Sequence, residues 1–183
     1  ECGRIPSVRG GAAGPAPRRT MEWIVQLPIL LLSTIVHEVA HGLAAWSRGD
    51  DTAERAGRLT LNPIAHLDPF GSVFLPMLCF MTGSPMLGWA APAPVEAARM
   101  KRRGDWILVA MAGPGSHFAL ALVAALALKA FSALPLPATG LAESLRGALL
   151  FAVSLNVLLA FFSRVPVHPL DGSRVVGGLL PGA

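Results

Sequence analysis

Residues 23–46 read WIVQLPILLLSTIVHEVAHGLAAW, an apolar run in which Glu38 is the only formally charged residue. As a helix it is long enough to cross the roughly 30 Å hydrocarbon core of a bilayer. Within it stands His37-Glu38-Val39-Ala40-His41. Positions i and i+4 share a helix face, so both imidazoles can reach one zinc ion, while Glu38 sits beside them, placed to take a proton from water. Ionisable groups inside a transmembrane helix each cost at least about 2–3 kcal/mol on insertion scales unless they are paired or functional. Packing alone does not explain His37, Glu38 and His41 so close together; the competing reading is a His and Glu hydrogen-bond network that ties helices to one another.

The rest of the chain fits that setting. Of 183 residues, 53% are hydrophobic and 14% charged, against about 25% charged in an ordinary soluble domain. The deficit is spread along the chain, which predicts an all-α polytopic membrane protein and excludes intrinsic disorder as its general state. Three more apolar segments follow the first, near 70–91, 107–131 and 147–163. The second contains Gly71, Pro76, Gly83, Pro85 and Gly88, and the third carries the small-residue cluster Ala112-Gly113-Pro114-Gly115-Ser116, which permits close helix packing. Between them lie a polar loop at 47–69, a basic one at 96–105 and a Pro-rich one at 132–143. Residues 1–20, rich in Gly, Pro, Arg and Ala, are expected to be a disordered N-terminal extension, with Met21 as the natural start and 21–183 as the functional core. The net charge of +4 comes mostly from Arg in short runs between apolar stretches. It reads as topology-setting charge that meets lipid headgroups around Arg99, Lys101, Arg102 and Arg103, and no nucleic-acid surface is expected.

Cys2 and Cys79 are too few and too badly placed for a disulfide framework or a Cys-based metal site. Any metal must be held by His and carboxylate. A catalytic zinc usually has three protein ligands plus water, so a third is wanted beyond His37 and His41. Asp171, His168, His117, His66 and Asp68 are the candidates, with Asp171 slightly preferred because Val165-Pro-Val-His-Pro-Leu-Asp-Gly172 keeps its chain non-helical just after the fourth segment.

The motifs together resemble the site-2 protease family of intramembrane zinc metalloproteases. They are HisGluXxxXxxHis at 37–41, LeuAsnProIleAlaHisLeuAspProPheGly at 61–71, GlyTrpAlaAlaProAlaPro at 88–94, AlaGlyPro at 112–114 and ProLeuAspGly at 169–172. The resemblance runs from Met21 nearly to the end, in family order, and is greatest to the bacterial branch whose first helix carries the zinc motif. It implies Zn2+ held by His37, His41 and Asp171, Glu38 as general base, a transmembrane protein as substrate, and residence in the bacterial cell membrane with the site toward the cytoplasm. It also implies that His66 and Asp68 structure their loop and bind no metal.

Two positions depart from the family pattern. AlaGlyPro is usually completed three residues on by Asn, which here is His117, and PheAsn eight residues before the motif Asp is replaced by Phe162-Ser163. Those Asn side chains are thought to engage the substrate backbone or the developing oxyanion, and removing one oxyanion donor typically costs about a hundredfold or more. His117 is expected either to point at the metal, as a replacement donor or an extra ligand, or to be a helix-start histidine satisfied by a carbonyl. Asn156 reads as an interhelical hydrogen-bonding residue.

Asp171 follows the fourth segment, so four full crossings would leave it on the opposite side from the end of the first helix. A broken or re-entrant second segment restores parity, and the fold expected is three or four transmembrane helices with such a segment. With three crossings and the tail set aside, nine basic residues fall on the side of the site and two on the other, which places the site on the cytoplasmic face. Two other functions are carried: a weakened relative that holds membrane proteins without cutting them, and a metal-handling or transport protein, the latter disfavoured because no second set of ionisable residues continues a path. The sequence ends at Ala183, soon after the last motif, where family members run on through further membrane segments, so the expectation is of a chain cut short.

Overall fold

The computed structural model describes residues 17–102, 104–135, 139–167 and 170–179. All regular structure among them is helical. Helix α1 spans Pro17–Ser47, α2 Thr52–Arg55, α3 Leu75–Thr82, α4 Asp105–Ser132, α5 Gly140–Phe162 and α6 Asp171–Leu179. Three helices are long and apolar enough to cross a membrane: Trp23–Ser47 of α1, α4 and α5. At 1.5 Å per residue the 25-residue stretch of α1 reaches about 37 Å, enough to cross with some tilt.

The second apolar segment is not one membrane-length helix. A π-helical turn at Pro69–Phe74 runs into α3, which ends at Gly83, and the chain then continues without helix to Glu96. Gly83, left-handed at the C-cap, ends the helix, and Pro85, Pro92 and Pro94 keep the chain after it from resuming one, while Gly71 and Pro76 lie within the helical turns. The described residues therefore hold three membrane-length helices and a short apolar helix, and with three crossings parity brings the end of α1 and the start of α6 to the same side.

Four features differ from the sequence reading, one of them at the last motif: residues 165–172 are expected to be non-helical, but α6 begins at Asp171 and includes Gly172. Helix α1 reaches back to Pro17, inside the stretch expected to be a disordered tail; residues 1–16 lie outside the described residues. Helix α5 starts at Gly140, seven residues before the expected 147, because the Thr139 hydroxyl caps the amide of Ala142 and Glu143 and Arg146 ride on the first turns. The loop at 47–69 holds α2 and a 3-10 turn at Pro63–His66, the latter capped by the Asn62 side chain.

Helices α1, α4 and α5 pack against one another, and α6 packs on α4. Leu30, Leu155 and Met86 form a buried centre flanked by Trp23 and Phe151, so the non-helical chain after α3 is built into the bundle. Leu32, Leu122, Val123, Leu126 and Leu158 remain exposed on the spans, the surface expected of helices solvated by acyl chains.

The loops at the end of α1 are tied by charge. Asp50 is fully buried; it accepts from the amide and hydroxyl of Thr52 and, at 2.6 Å, from the amide of Glu96. Burial pushes the Asp50 carboxyl up, but these donors and the nearby Arg99 charge outweigh it, so its pKa lies below the ordinary 3.8. The Lys101 amide donates to the Arg48 carbonyl, and Arg48 pairs with Asp105 at 3.6 Å, which clamps the basic loop to the same end of α1.

Candidate metal centre

One helical turn separates His37 and His41, and their Nε2 atoms lie 3.0 Å apart. Asp171, in the first turn of α6, brings Oδ2 to 3.1 Å from His37 Nε2 and Oδ1 to 3.2 Å from His41 Nε2. Among the described residues this is the group of His, Cys, Asp and Glu that could hold a metal ion. The separations suit the donor set: tetrahedral zinc with bonds of about 2.0–2.1 Å places its ligand atoms roughly 3.3 Å from one another.

The tautomer of His41 follows from its surroundings. Its Nδ1 lies 2.7 Å from the Val109 carbonyl, which can only accept, so Nδ1 carries the hydrogen and Nε2 presents a bare lone pair to the group. That lone pair faces a second imidazole and a carboxylate, an electron-rich cluster that a cation satisfies. His37 has no such support. Its Nδ1 is buried without a partner among the described residues, and its ring instead lies against that of His117, with centroids 4.7 Å apart.

Two glycines make the approach of these elements possible. A Cβ on Gly113 of α4 would fall within 3 Å of His41 Nε2 and of the His37 ring. The AlaGlyPro motif thus lets α4 close over the metal group, which any side chain at 113 would fill. A Cβ on Gly172 would collide with the backbone of Arg164 and Val165. With none there, the Gly172 amide donates to the Ser163 carbonyl at 2.8 Å and anchors the neighbouring Asp171 to the end of α5.

Glu38 lies outside the ligand group. Its Oε2 accepts from the Ala93 amide at 2.7 Å, and its Oε1 makes no hydrogen bond among the described residues. Ala93 stands between Pro92 and Pro94, neither of which has an N–H, so that amide is the donor this stretch has to offer. The GlyTrpAlaAlaProAlaPro motif holds this position through the Trp89 amide on the Gly71 carbonyl, the Ser72 hydroxyl on the Trp89 carbonyl, and the Ala91 amide on the His66 carbonyl.

The remaining candidates fall elsewhere. His117 is buried beside His37 but is not in the ligand group. Its Nδ1 lies 2.9 Å from Asn156 Oδ1, while Asn156 Nδ2 donates to the Ala152 carbonyl and the Ser33 hydroxyl. Those two bonds fix the amide, so His117 Nδ1 donates and α1, α4 and α5 are linked through one buried polar chain. The Ser163 hydroxyl turns back to the Leu159 carbonyl at 2.7 Å, so its contribution to the group is made through its backbone. His66 is buried, with Nε2 donating to the Thr60 carbonyl, and Asp68 caps the amides of Phe70 and Gly71. His168 lies outside the described residues. Sequence reasoning did not find the Val109 carbonyl or the Ala93 amide; the proline on each side of Ala93 was the one signal available for either.

Over 158 residues the chain is 38% identical to "Putative zinc metalloprotease YwhC" of Bacillus subtilis (strain 168), a match that covers 83% of this chain and 67% of that protein. The chain belongs to the family of YwhC. Two further relatives, both named "Putative zinc metalloprotease Rip2", are similar over 93 residues: 32% identical in Mycolicibacterium smegmatis and 33% in Mycobacterium tuberculosis (strain ATCC 25618 / H37Rv). Each of those matches covers 51% of this chain and 35% of the relative. No family model matches the chain, and no solved structure does. The metalloprotease name common to these relatives agrees in kind with a group of two imidazoles and a carboxylate able to hold a metal ion.

Proposed function

We propose that the protein is a zinc-dependent intramembrane endopeptidase of the site-2 protease family, in the branch whose first helix carries the zinc motif, and that it hydrolyses peptide bonds in or near transmembrane segments of other proteins. The observation that carries the reading is the convergence of His37 Nε2, His41 Nε2 and the Asp171 carboxylate, all within 3.2 Å of one another, inside a chain with three membrane-length helices. These three residues would hold the ion. Zinc, when bound, supplies a Lewis acid for the scissile carbonyl and lowers the pKa of water toward about 7.

The other steps belong to the chain's own groups. The Ala93 amide holds Glu38 Oε2, which leaves Oε1 to take the proton from the attacking water and return it to the leaving amine. The Val109 carbonyl keeps His41 in the tautomer that offers Nε2. A substrate helix shields its own peptide bonds with internal hydrogen bonds, so it must unwind before it can be cut, and helix-destabilising residues near the cut would favour that. Three crossings put most basic loop residues on the side of the site, which supports a cytoplasmic-facing centre in a bacterial cell membrane.

A second reading has one observation in its favour. The side chains of Ser163 and His117 are engaged within the protein, at the Leu159 carbonyl and at Asn156, which would suit a relative that binds membrane proteins without cutting them. Purified protein in detergent or lipid separates the two. Protein that carries about one zinc per chain, loses it in Asp171→Ala and cleaves a transmembrane reporter supports the protease, as does uncut reporter accumulating on Glu38→Gln. Zinc binding without cleavage, unaltered by Glu38→Gln, refutes it in favour of the binding module.

A further inference from the structure

A cavity of about 430 Å³ opens directly beside the metal group, between α4, α6 and the turn that joins α5 to α6. Asp171 and Gly172 form one wall; Met111 and Pro114 of α4 and Val175 and Val176 of α6 form most of the rest. Asp171 is the one carboxylate in that lining, and Arg164 is its one cation. The Arg164 guanidinium lies 4.7 Å above the Phe118 ring, a cation–π contact on the α4 surface.

We propose that this cavity is the subsite for the substrate side chain next to the scissile bond, and that it selects a large apolar residue, aliphatic or aromatic, over small or basic ones. The inference rests on the endopeptidase reading above. Continuity carries it: the wall that supplies Asp171 to the metal group is also a wall of the cavity, so a peptide whose carbonyl sits at the group has its adjacent side chain within one residue's reach. The walls select by chemistry: most are aliphatic or proline side chains that give a polar substituent little to bond to, the one carboxylate, Asp171, is committed to the metal group, and Arg164 disfavours a cation. The volume lies in the range of pockets that take small ligands, about 300–1,000 Å³, and so has room for a large side chain with some of its backbone. Met111, unbranched and polarizable, adapts to aliphatic or aromatic shapes.

The test uses the whole chain in lipid nanodiscs with zinc bound and a single-span reporter whose cut site is first mapped by mass spectrometry. Reporters then carry Leu, Phe, Ala or Arg at each residue flanking the cut. The wild-type enzyme is expected to prefer Leu or Phe over Ala at one flank by about 10- to 200-fold, the discrimination that apolar pockets achieve, and to reject Arg there. Met111→Trp, which fills the cavity, should remove most of that preference while zinc content stays at the wild-type level. Met111→Ala, which enlarges it, should shift the preference from Leu toward Phe. An unchanged order of preference in both variants overturns the inference and leaves the cavity to lipid acyl chains, with cleavage itself intact. Zinc-loaded wild-type protein that cuts no reporter at all refutes the endopeptidase reading, and this inference with it.

Discussion

Gly113→Ala tests how closely α4 covers the metal group. The added methyl would lie within 3 Å of His41 Nε2 and of the His37 ring, in the space where the two Nε2 atoms converge. Without an ion the two rings can turn aside at small cost, since the clash is with side chains. With an ion they are pinned, so the strain falls on binding. Overpacking by one such group costs about 1–3 kcal/mol, and at 1.4 kcal/mol per decade zinc affinity should weaken by about 5- to 150-fold. Competition against a chelator of known affinity, in detergent, measures this. Gly115→Ala is the control, because a Cβ there meets nothing within 4 Å. Gly113→Ala protein that binds zinc as tightly as the Gly115→Ala control would refute the placement of the ion against α4.

Ala93→Pro deletes the amide that holds Glu38 Oε2; loss of a charge-assisted bond of about 1.5–3 kcal/mol should lower kcat by roughly 10- to 150-fold in the reporter assay, with zinc content unchanged. Asn156→Leu leaves the His117 and Ser33 side chains without their partner and should destabilise the bundle by about 1–3 kcal/mol, read as a lower midpoint in thermal unfolding. Asp50 has a folded pKa below 3.8, so its stabilisation is complete above that value and is lost as pH falls through the folded pKa. The difference in unfolding midpoint between wild type and Asp50→Asn should accordingly be full at pH 7 and shrink toward zero on acidification below pH 3.8. His117→Asn keeps a polar partner near Asn156 but removes the ring that lies against His37; zinc content should hold, and cleavage unchanged from wild type would remove any reason to place His117 at the site.

What the sequence made legible was whatever local spacing or composition encodes. The i, i+4 interval of His37 and His41 needs only a helix to become a shared face, and charge-free length needs only a bilayer to become a span. The break in the second segment was readable because Gly83 and Pro85 act on their own backbone. Long-range pairing had no such signature. Nothing near His41 announces that a carbonyl 68 residues away fixes its tautomer, and the start of α5 at Gly140 was hidden because Glu143 and Arg146 read as loop in an apolar window while Thr139 supplied the cap. Ser163 shows the same limit from the other side. Its side chain drew attention as a departure from the family pattern, yet its backbone carbonyl is what anchors Gly172, the residue next to Asp171.

If His37, His41 and Asp171 hold a metal, as proposed, the chain needs an odd number of crossings between its N-terminus and Asp171. His37 and His41 sit in the later half of α1, and Asp171 enters from the turn after α5, so a ligand set drawn from both ends can close only if the chain returns to the same side. The two membrane-length helices after α1, α4 and α5, would do this, provided that the segment between α1 and α4 turns back without spanning. That segment then has unpaired backbone to place, and it places it on the site: the Ala93 amide on Glu38, the Trp89 and Ala91 amides on the loop beneath. A continuous helix over 70–91 would have satisfied its own amides and left Glu38 Oε2 without that donor. The break in the second segment and the poise of the proposed base therefore have one cause, the prolines that keep residues 84–96 from becoming helix.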